Sequence, residues 1–325
     1  MKRLKTILLA LLGIILVAGV SIFGIVYLNL NKIYEKDNVT KIDAAETEES
    51  EQGTIVEGVT NILLVGTDGA NIEKTNRSDS VMLVTIDTNN KDIKISSIAR
   101  DTYVDIPGHS TEKLTHAYAY GGIDLLREVF EVNFDIKIDK YIAVNFVSFM
   151  DIIDEIGGVE VNVEEKDVAE VNKYIDACYD YYYNRKDEIE KEYVKESGKQ
   201  RLNGYQALAF SRIRYTDSAY ARDNRHREVA ESVYKEFLNS GTNEYKRAAE
   251  IILENTKTNI SPMEMINLGF TALKINDKEI EQFQFPLAEY RNGHIVSKQK
   301  GWVIEWEKEP NLKAWHEFIY SKSEE

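Results

Sequence analysis

Residues Ile7 to Leu28 form an uncharged, strongly apolar run directly behind the cationic head Met1-Lys2-Arg3-Leu4-Lys5. At 1.5 Å per residue the run reaches roughly 33 Å as a helix, enough to cross a hydrocarbon core of about 30 Å. A segment this apolar takes no part in a water-soluble core, so the fold must be built from the residues C-terminal to it. The run exceeds the apolar core of a secretory signal peptide, and Asn29-Leu30-Asn31-Lys32 makes a poor cleavage site. The expectation is a short cytoplasmic head (1–6), one uncleaved transmembrane signal anchor (7–28) and a single-pass cell-membrane protein. The basic head stays inside, and the remainder is extracellular. Residues 29–58 are acidic and carry no apolar period, as in Asp43-Ala44-Ala45-Glu46-Thr47-Glu48-Glu49-Ser50-Glu51, which predicts a flexible linker.

From Val59 the apolar patterning changes. Asn61-Ile62-Leu63-Leu64-Val65-Gly66 and Ser80-Val81-Met82-Leu83-Val84-Thr85-Ile86-Asp87 are continuous runs of the kind that form strands buried on both faces. Thr88-Asn89-Asn90-Lys91 turns the second into a third, carrying Ile93, Ile95 and Ile98. Gly122 to Phe134 has helical spacing. Tyr141 to Asn145 reads as a strand, Phe146 to Ile156 as a helix stopped by Gly157-Gly158, and Val159, Val161 and Val163 as a further strand. Residues 165–198, with Tyr179, Tyr181, Tyr182 and Tyr183, read as a surface helical excursion; a sugar-stacking platform is the alternative. Helices are expected over 204–211, 224–238, 244–255 and 262–274, the last opened by the capping box Ser261-Pro262-Met263-Glu264. Ile280 to Phe285 alternates as a strand, Trp302-Val303-Ile304 is expected to pair with it, and Trp315, Phe318 and Ile319 line a last helix. The fold class is therefore α/β, a mixed central sheet layered between helices. Residues 59–240 are read as the catalytic domain, with 241–325 packing on it.

The single cysteine, Cys178, excludes an intramolecular disulfide, and a formal net charge of -15 argues against a nucleic-acid binder. Within that acidic chain Arg212, Arg214, Arg222, Arg225, His226 and Arg227 crowd together, and Arg77-Ser78-Asp79 and Arg100-Asp101 set further arginines beside carboxylates. Guanidinium forks match phosphate oxygens two at a time. Asp68 follows the first strand and Asp79 enters the second; if those strands are neighbours, the two meet around one Mg2+. Loop aspartates also cap turns, and spacing alone does not choose. Arg212 and Arg214, two apart, fit an extended segment on which both point one way. Arg222 and Arg225 share a helix-start face, where backbone amides also favour anions.

The ordered set Asn61 to Asp68, Arg77-Ser78-Asp79-Ser80, Ser97-Ile98-Ala99-Arg100-Asp101-Thr102, Lys113-Leu114-Thr115-His116-Ala117-Tyr118-Ala119-Tyr120-Gly121-Gly122 and Leu202-Asn203-Gly204 to Arg225 resembles the LytR-CpsA-Psr family over roughly Val59 to Leu238. The resemblance implies a Mg2+-dependent phosphotransferase. It would move an anionic glycopolymer from undecaprenyl pyrophosphate to a peptidoglycan sugar hydroxyl, as in attachment of teichoic acid or capsular polysaccharide. It implies Mg2+ at Asp68 and Asp79, and pyrophosphate on Arg77, Arg100, Arg212, Arg214 and Arg222, with Arg225 and His226 completing the basic set. The prenyl tail is expected in an apolar pocket. Ala99 stands where the family usually has Pro, Thr115 where it has Asn, and His226 where it has Gln. Catalytic candidates are Arg100, Asp79 and Asp101, either acid accepting the hydroxyl proton. The alternatives are a polyprenyl pyrophosphate phosphatase, or a non-catalytic envelope receptor or regulator for lipid phosphates.

Overall fold

The computed structural model describes residues 56–68, 76–138, 140–183, 190–213, 219–239, 256–275 and 280–320. The first half of the chain runs β1 (Val59–Thr67), β2 (Ser78–Asp87), β3 (Asp92–Ile98), β4 (Tyr103–Val104), β5 (Glu112–Lys113), α1 (Leu114–Phe134), β6 (Lys140–Val144) and α2 (Phe146–Glu155). It continues through β7 (Val159–Val163), α3 (Glu165–Tyr183), β8 (Gly198–Leu202), α4 (Gly204–Ser211) and α5 (Ala219–Asn239). The last part holds β9 (Thr256–Thr258), α6 (Pro262–Lys274), β10 (Glu281–Phe285), β11 (Arg291–Ser297), β12 (Gly301–Trp306) and α7 (Lys308–Tyr320). The expected anchor over 7–28, residues 29–55 of the linker expected over 29–58, and the expected helix over 244–255 lie outside the described residues. Among the described residues no helix is long and apolar enough to cross a membrane.

Six strands form one mixed sheet in the order β10-β3-β2-β1-β6-β9. β1–β2, β2–β3 and β6–β9 are antiparallel, whereas β1–β6 and β10–β3 are parallel. Alternation along β1 sends Leu63 and Val65 to one face, where they pack with Leu126, Val129, Phe130 and Phe134 of α1 and Trp315 and Ile319 of α7. Ile62, Ile86 and Ile93 face the other way, toward Tyr234 of α5 and Leu268 and Ala272 of α6. Each such large side chain stabilises the fold by roughly 1.5–3 kcal/mol when fully buried. Trp315, buried against β3, has its Nε1 donating to Ser96 Oγ at 2.8 Å, so its one polar atom is satisfied. A second cluster joins α2, α3 and α4 to the antiparallel pair β7–β8 through Met150, Val161, Val171, Ile175, Leu202 and Leu208.

Local chemistry sets the boundaries. Asn145 with Ser148, Asn203 with Gln206, and Ser261 with Glu264 form reciprocal capping boxes that open α2, α4 and α6. Gly157 and Gly158, at φ 81° and 91°, end α2 in a conformation that side chains with a Cβ rarely adopt.

Several expectations are corrected. The helix expected from Gly122 begins at Leu114. Gly121 and Gly122 interrupt it with non-helical backbone, Gly122 at φ 63°, so the segment expected over Gly122 to Phe134 follows the kink and the stretch from Leu114 is the unexpected part. Trp302 to Ile304 pairs with β11, while β10 joins β3; alternation specifies a strand but not its partner. In the excursion over 165–198 the described helix spans Glu165–Tyr183, residues 190–197 are not helical, and Gly198 opens β8 against β7.

Candidate active site

The ladder between β1 and β2 slips at its open end. Gly66 pairs with Ser80 and Thr67 with Ser78, leaving Asp79 as an extra residue. Such a bulge breaks the alternation of side chains and re-aims one of them. Asp79 and its neighbour Ser80 consequently both border one cavity. Asp68, just past β1, is held against the start of β2. Its amide donates to the Arg77 carbonyl at 3.0 Å, and its Oδ1 accepts from the Arg77 amide at 2.7 Å. Partial burial raises the Asp68 pKa, the nearby Asp79 charge adds to that, and the Arg77 amide and guanidinium oppose it.

Arg100 follows β3, where Ala99 donates to the Phe285 carbonyl at 2.9 Å and so fixes the strand exit. Its Nη1 donates to Asp79 Oδ1, and its Nε lies 3.6 Å from Asp101 Oδ2. Burial works against the Arg100 charge, yet Asp79 and Asp101 outweigh it and raise the pKa. The other Asp101 oxygen, Oδ1, lies 3.0 Å from Lys113 Nζ. Asp101 is thus held on both sides by cations and orients Arg100. Lys113 opens the motif that runs to Gly122, and nothing in its spacing marks it as part of this charged chain.

The cavity, about 270 Å3, lies between the sheet and helices α2, α4 and α5. Leu64, Met82, Ile142, Phe146, Phe149 and Val229 are among its apolar walls, and Asp79, Arg212, Arg222 and His226 border it. Arg212, expected on an extended segment, is the C-cap of α4, with αR backbone. Its guanidinium lies over the Phe146 ring at 5.0 Å and the Tyr174 ring at 5.8 Å, with Nη1 3.5 Å from Cys178 Sγ. Arg222 is only 6% exposed, and its Nε and Nη2 have no hydrogen-bond partner among the described residues. Burial lowers its pKa, and the like charge of Arg100 nearby adds to that. Asp223, Asp79 and Asp101 act the other way, and the Nε and Nη2 donors of Arg222 suit the oxygens of an anion.

Arg225 does not join that group. It forms a buried ion pair with Asp167 at 3.2 Å, and its Nη2 donates to the Ile213 carbonyl at 3.1 Å. The shared helix-start face expected for Arg222 and Arg225 therefore divides between the cavity and α3. Arg227 likewise ties α5 to the sheet edge through Ser97 and Gln282. His226 is kept neutral, because burial and then Arg222 pull its pKa down to about 3. Its Nε2 then donates to the Ser211 carbonyl at 2.9 Å. Arg214 lies outside the described residues.

Asp223 escaped the sequence reading, since an acid inside a basic helix looks like an ordinary surface charge. It is 4% exposed, its Oδ2 has no partner among the described residues, and burial, against the pull of Arg222 and Arg227, lifts its pKa to about 6. A raised carboxyl pKa means the folded protein binds this proton more tightly than the unfolded chain. Its ionisation therefore costs stability above about pH 6, and the cost fades as pH falls toward the ordinary carboxylate range. Asp223→Asn should stabilise the protein by on the order of 2–3 kcal/mol at pH 8. That gain should vanish near pH 4; thermal melts of both proteins across this range check the sign.

Asp68 and Asp79 supply two carboxylates close enough for one charge to raise the other's pKa, a repulsion that a cation relieves. Hard oxygens of this kind fit Mg2+, which takes one or two carboxylates and completes its shell with water and phosphate. Among the described residues no group of three or more His, Cys, Asp or Glu side chains could hold a metal without such help.

A model of the LytR_cpsA_psr family matches residues 25–309. The chain belongs to that family. Among its relatives, the polyisoprenyl-teichoic acid–peptidoglycan teichoic acid transferase TagU of Bacillus cereus is 30% identical over 272 residues, which cover 82% of this chain and 82% of the relative. A structure of TagT bound to LI-WTA superposes with a TM-score of 0.66 at 27% identity, covering 85% of this chain and 94% of that one. The LytR-CPS2A-psr family protein YwtF (TagT) with bound octaprenyl pyrophosphate lipid gives 0.62 at 26% identity, with the same coverage. The mixed sheet flanked by helices is the LytR-CpsA-Psr architecture.

Proposed function

We propose that this chain transfers an anionic glycopolymer from a polyprenyl pyrophosphate carrier to a sugar hydroxyl of peptidoglycan, forming a phosphodiester, with Mg2+ held by Asp68 and Asp79. The observation that carries this reading is a single cavity with apolar walls at whose border Asp79, Arg212 and a buried, partly unpartnered Arg222 meet. A prenyl chain suits the walls, and a pyrophosphate suits the charged border. Arg100, tied to Asp79, and Arg222 bind phosphate oxygens and stabilise the charge that grows there as the bond to the leaving prenyl phosphate breaks. His226, neutral, contributes shape and a fixed hydrogen bond instead of charge. Asp79, bonded to Arg100, and Asp101, between Arg100 and Lys113, are the two acids placed to take the acceptor proton. Mg2+, when bound, would neutralise pyrophosphate charge. The apolar run 7–28 supports the same reading, since a single-pass anchor would keep the domain at the outer membrane face, where carrier lipid and wall meet.

The test is to incubate the purified full-length protein with a labelled prenyl-pyrophosphate-linked glycopolymer and wall fragments, with and without a chelator. Label joined to glycan, lost on chelation and restored by Mg2+, is expected. Release of free phosphate products without joined glycan would identify a phosphatase, and bound but unchanged lipid a receptor.

A further inference from the structure

The motif from Lys113 to Gly122 adds a side chain to the phosphate site only through Lys113, and its exposed side chains form a surface of their own. His116 and Tyr120, four residues apart, share one face of the first turns of α1, and Glu112 of β5 lies just ahead of them. Leu114, Ala117 and Tyr118 on the opposite side are buried in the core. His116 Nδ1 lies 3.2 Å from Glu112 Oε2, and its ring centroid is 5.8 Å from that of Tyr120. The Tyr120 ring is 46% exposed yet stacked on His109, at 4.5 Å between centroids and 20° between planes. The kink at Gly121 and Gly122 ends the helical turn immediately after Tyr120. A Cβ on Gly121 would approach Leu125 Cβ to 2.6 Å, and Gly122 needs its positive φ, so both positions require glycine. At the edge of this face Lys300 Nζ donates to Tyr103 Oη at 3.0 Å and to the Thr111 carbonyl at 2.7 Å.

An exposed aromatic ring held in place by stacking, beside hydrogen-bonding groups fixed by other contacts, suits a sugar. The C–H face of a pyranose packs on the electron-rich ring, while its hydroxyls reach polar neighbours. The location identifies which sugar. α1 grows out of the phosphate site: Thr115 donates to the Arg100 carbonyl at 3.0 Å, Leu114 to the Thr102 carbonyl at 2.9 Å, and Lys113 pairs with Asp101. From Lys113 to Tyr120 the helix rises about 10 Å. None of these platform residues borders the cavity. With the leaving prenyl phosphate on the cavity side, in-line displacement requires the attacking hydroxyl to arrive from the opposite side of the phosphate.

We infer that the face bearing His109, His116 and Tyr120, edged by Tyr103 and Lys300, binds the acceptor glycan strand of peptidoglycan. The inference rests on the proposed transferase activity.

The experiment measures two affinities separately on purified full-length protein. One probe is a peptide-free oligosaccharide of alternating N-acetylglucosamine and N-acetylmuramic acid; the other is octaprenyl pyrophosphate. Tyr120→Ala should weaken the oligosaccharide about tenfold, as truncation of an exposed aromatic anchor does, while Tyr120→Phe keeps the ring and the affinity. Octaprenyl pyrophosphate should bind all three proteins equally. Unchanged oligosaccharide affinity in both Tyr120→Ala and His109→Ala would overturn the platform, as would wild-type protein that binds the lipid but not the oligosaccharide. Weakened binding of a glycopolymer-bearing lipid, with the oligosaccharide unaffected, would overturn the acceptor assignment in favour of the donor sugars. Failure of wild-type protein to bind octaprenyl pyrophosphate would instead remove the transferase reading itself.

Discussion

Arg100→Ala is expected to lower glycopolymer transfer by about two to three orders of magnitude, the usual loss when one preorganised charge donor is removed from a transition state. The position concentrates several roles. Arg100 holds Asp79 through Nη1, it is oriented by Asp101, and Asp101 is in turn fixed by Lys113. Removing the guanidinium also leaves Asp68 and Asp79 to repel each other without the cation that acts on both. Arg100→Lys restores a charge but not the planar fork, so it should recover only part of the rate. The loss should appear chiefly in kcat, because the walls of the cavity that suit a prenyl chain are untouched. Transfer of labelled polymer at saturating lipid, alongside a thermal melt showing an intact fold, decides the point. Rates near wild type in a folded Arg100→Ala protein would remove Arg100 from the chemistry.

Arg225→Ala, only three residues from Arg222, should behave in the opposite way. Arg225 is 5% exposed and paired with Asp167, itself 3% exposed. Taking away one member of such a pair leaves a buried charge uncompensated and costs about 3–5 kcal/mol. The variant should melt well below the wild type, and any loss of transfer should track the unfolded fraction. Asp167→Ala combined with Arg225→Ala should be more stable than Arg225→Ala alone, since the stranded carboxylate is gone. A normal melt with abolished transfer in Arg225→Ala would place this arginine in the phosphate grip after all.

The contrast between these two arginines shows what the sequence could and could not convey. Continuous apolar runs made β1, β2 and β3 readable, Gly157-Gly158 marked the end of α2 and the Ser261 capping box the start of α6, because those signals are local. The charged set was readable as a set: Asp68, Asp79, Arg100, Arg212 and Arg222 do converge electrostatically or around the cavity. Which arginine borders the cavity was not readable. Arg222 and Arg225 are the same residue type on the same helix, and only the placement of Asp167 on α3 separates them. The bulge that frees Asp79 is a register slip between two strands, invisible in either strand alone. Asp223 and Lys113 owe their roles to neighbours brought in by tertiary packing, as does the pairing of β12 with β11.

Both outermost strands of the six-stranded sheet, β9 and β10, belong to the last third of the chain. β6 therefore keeps an unpaired hydrogen-bonding rim until synthesis has passed Thr258, and β3 until it has passed Phe285, and such rims recruit other chains. Folding must wait for distant residues to return, which makes it slow for a chain of this size. A product cut short near residue 240 would retain every acid and arginine of the proposed phosphate site and still be prone to clump.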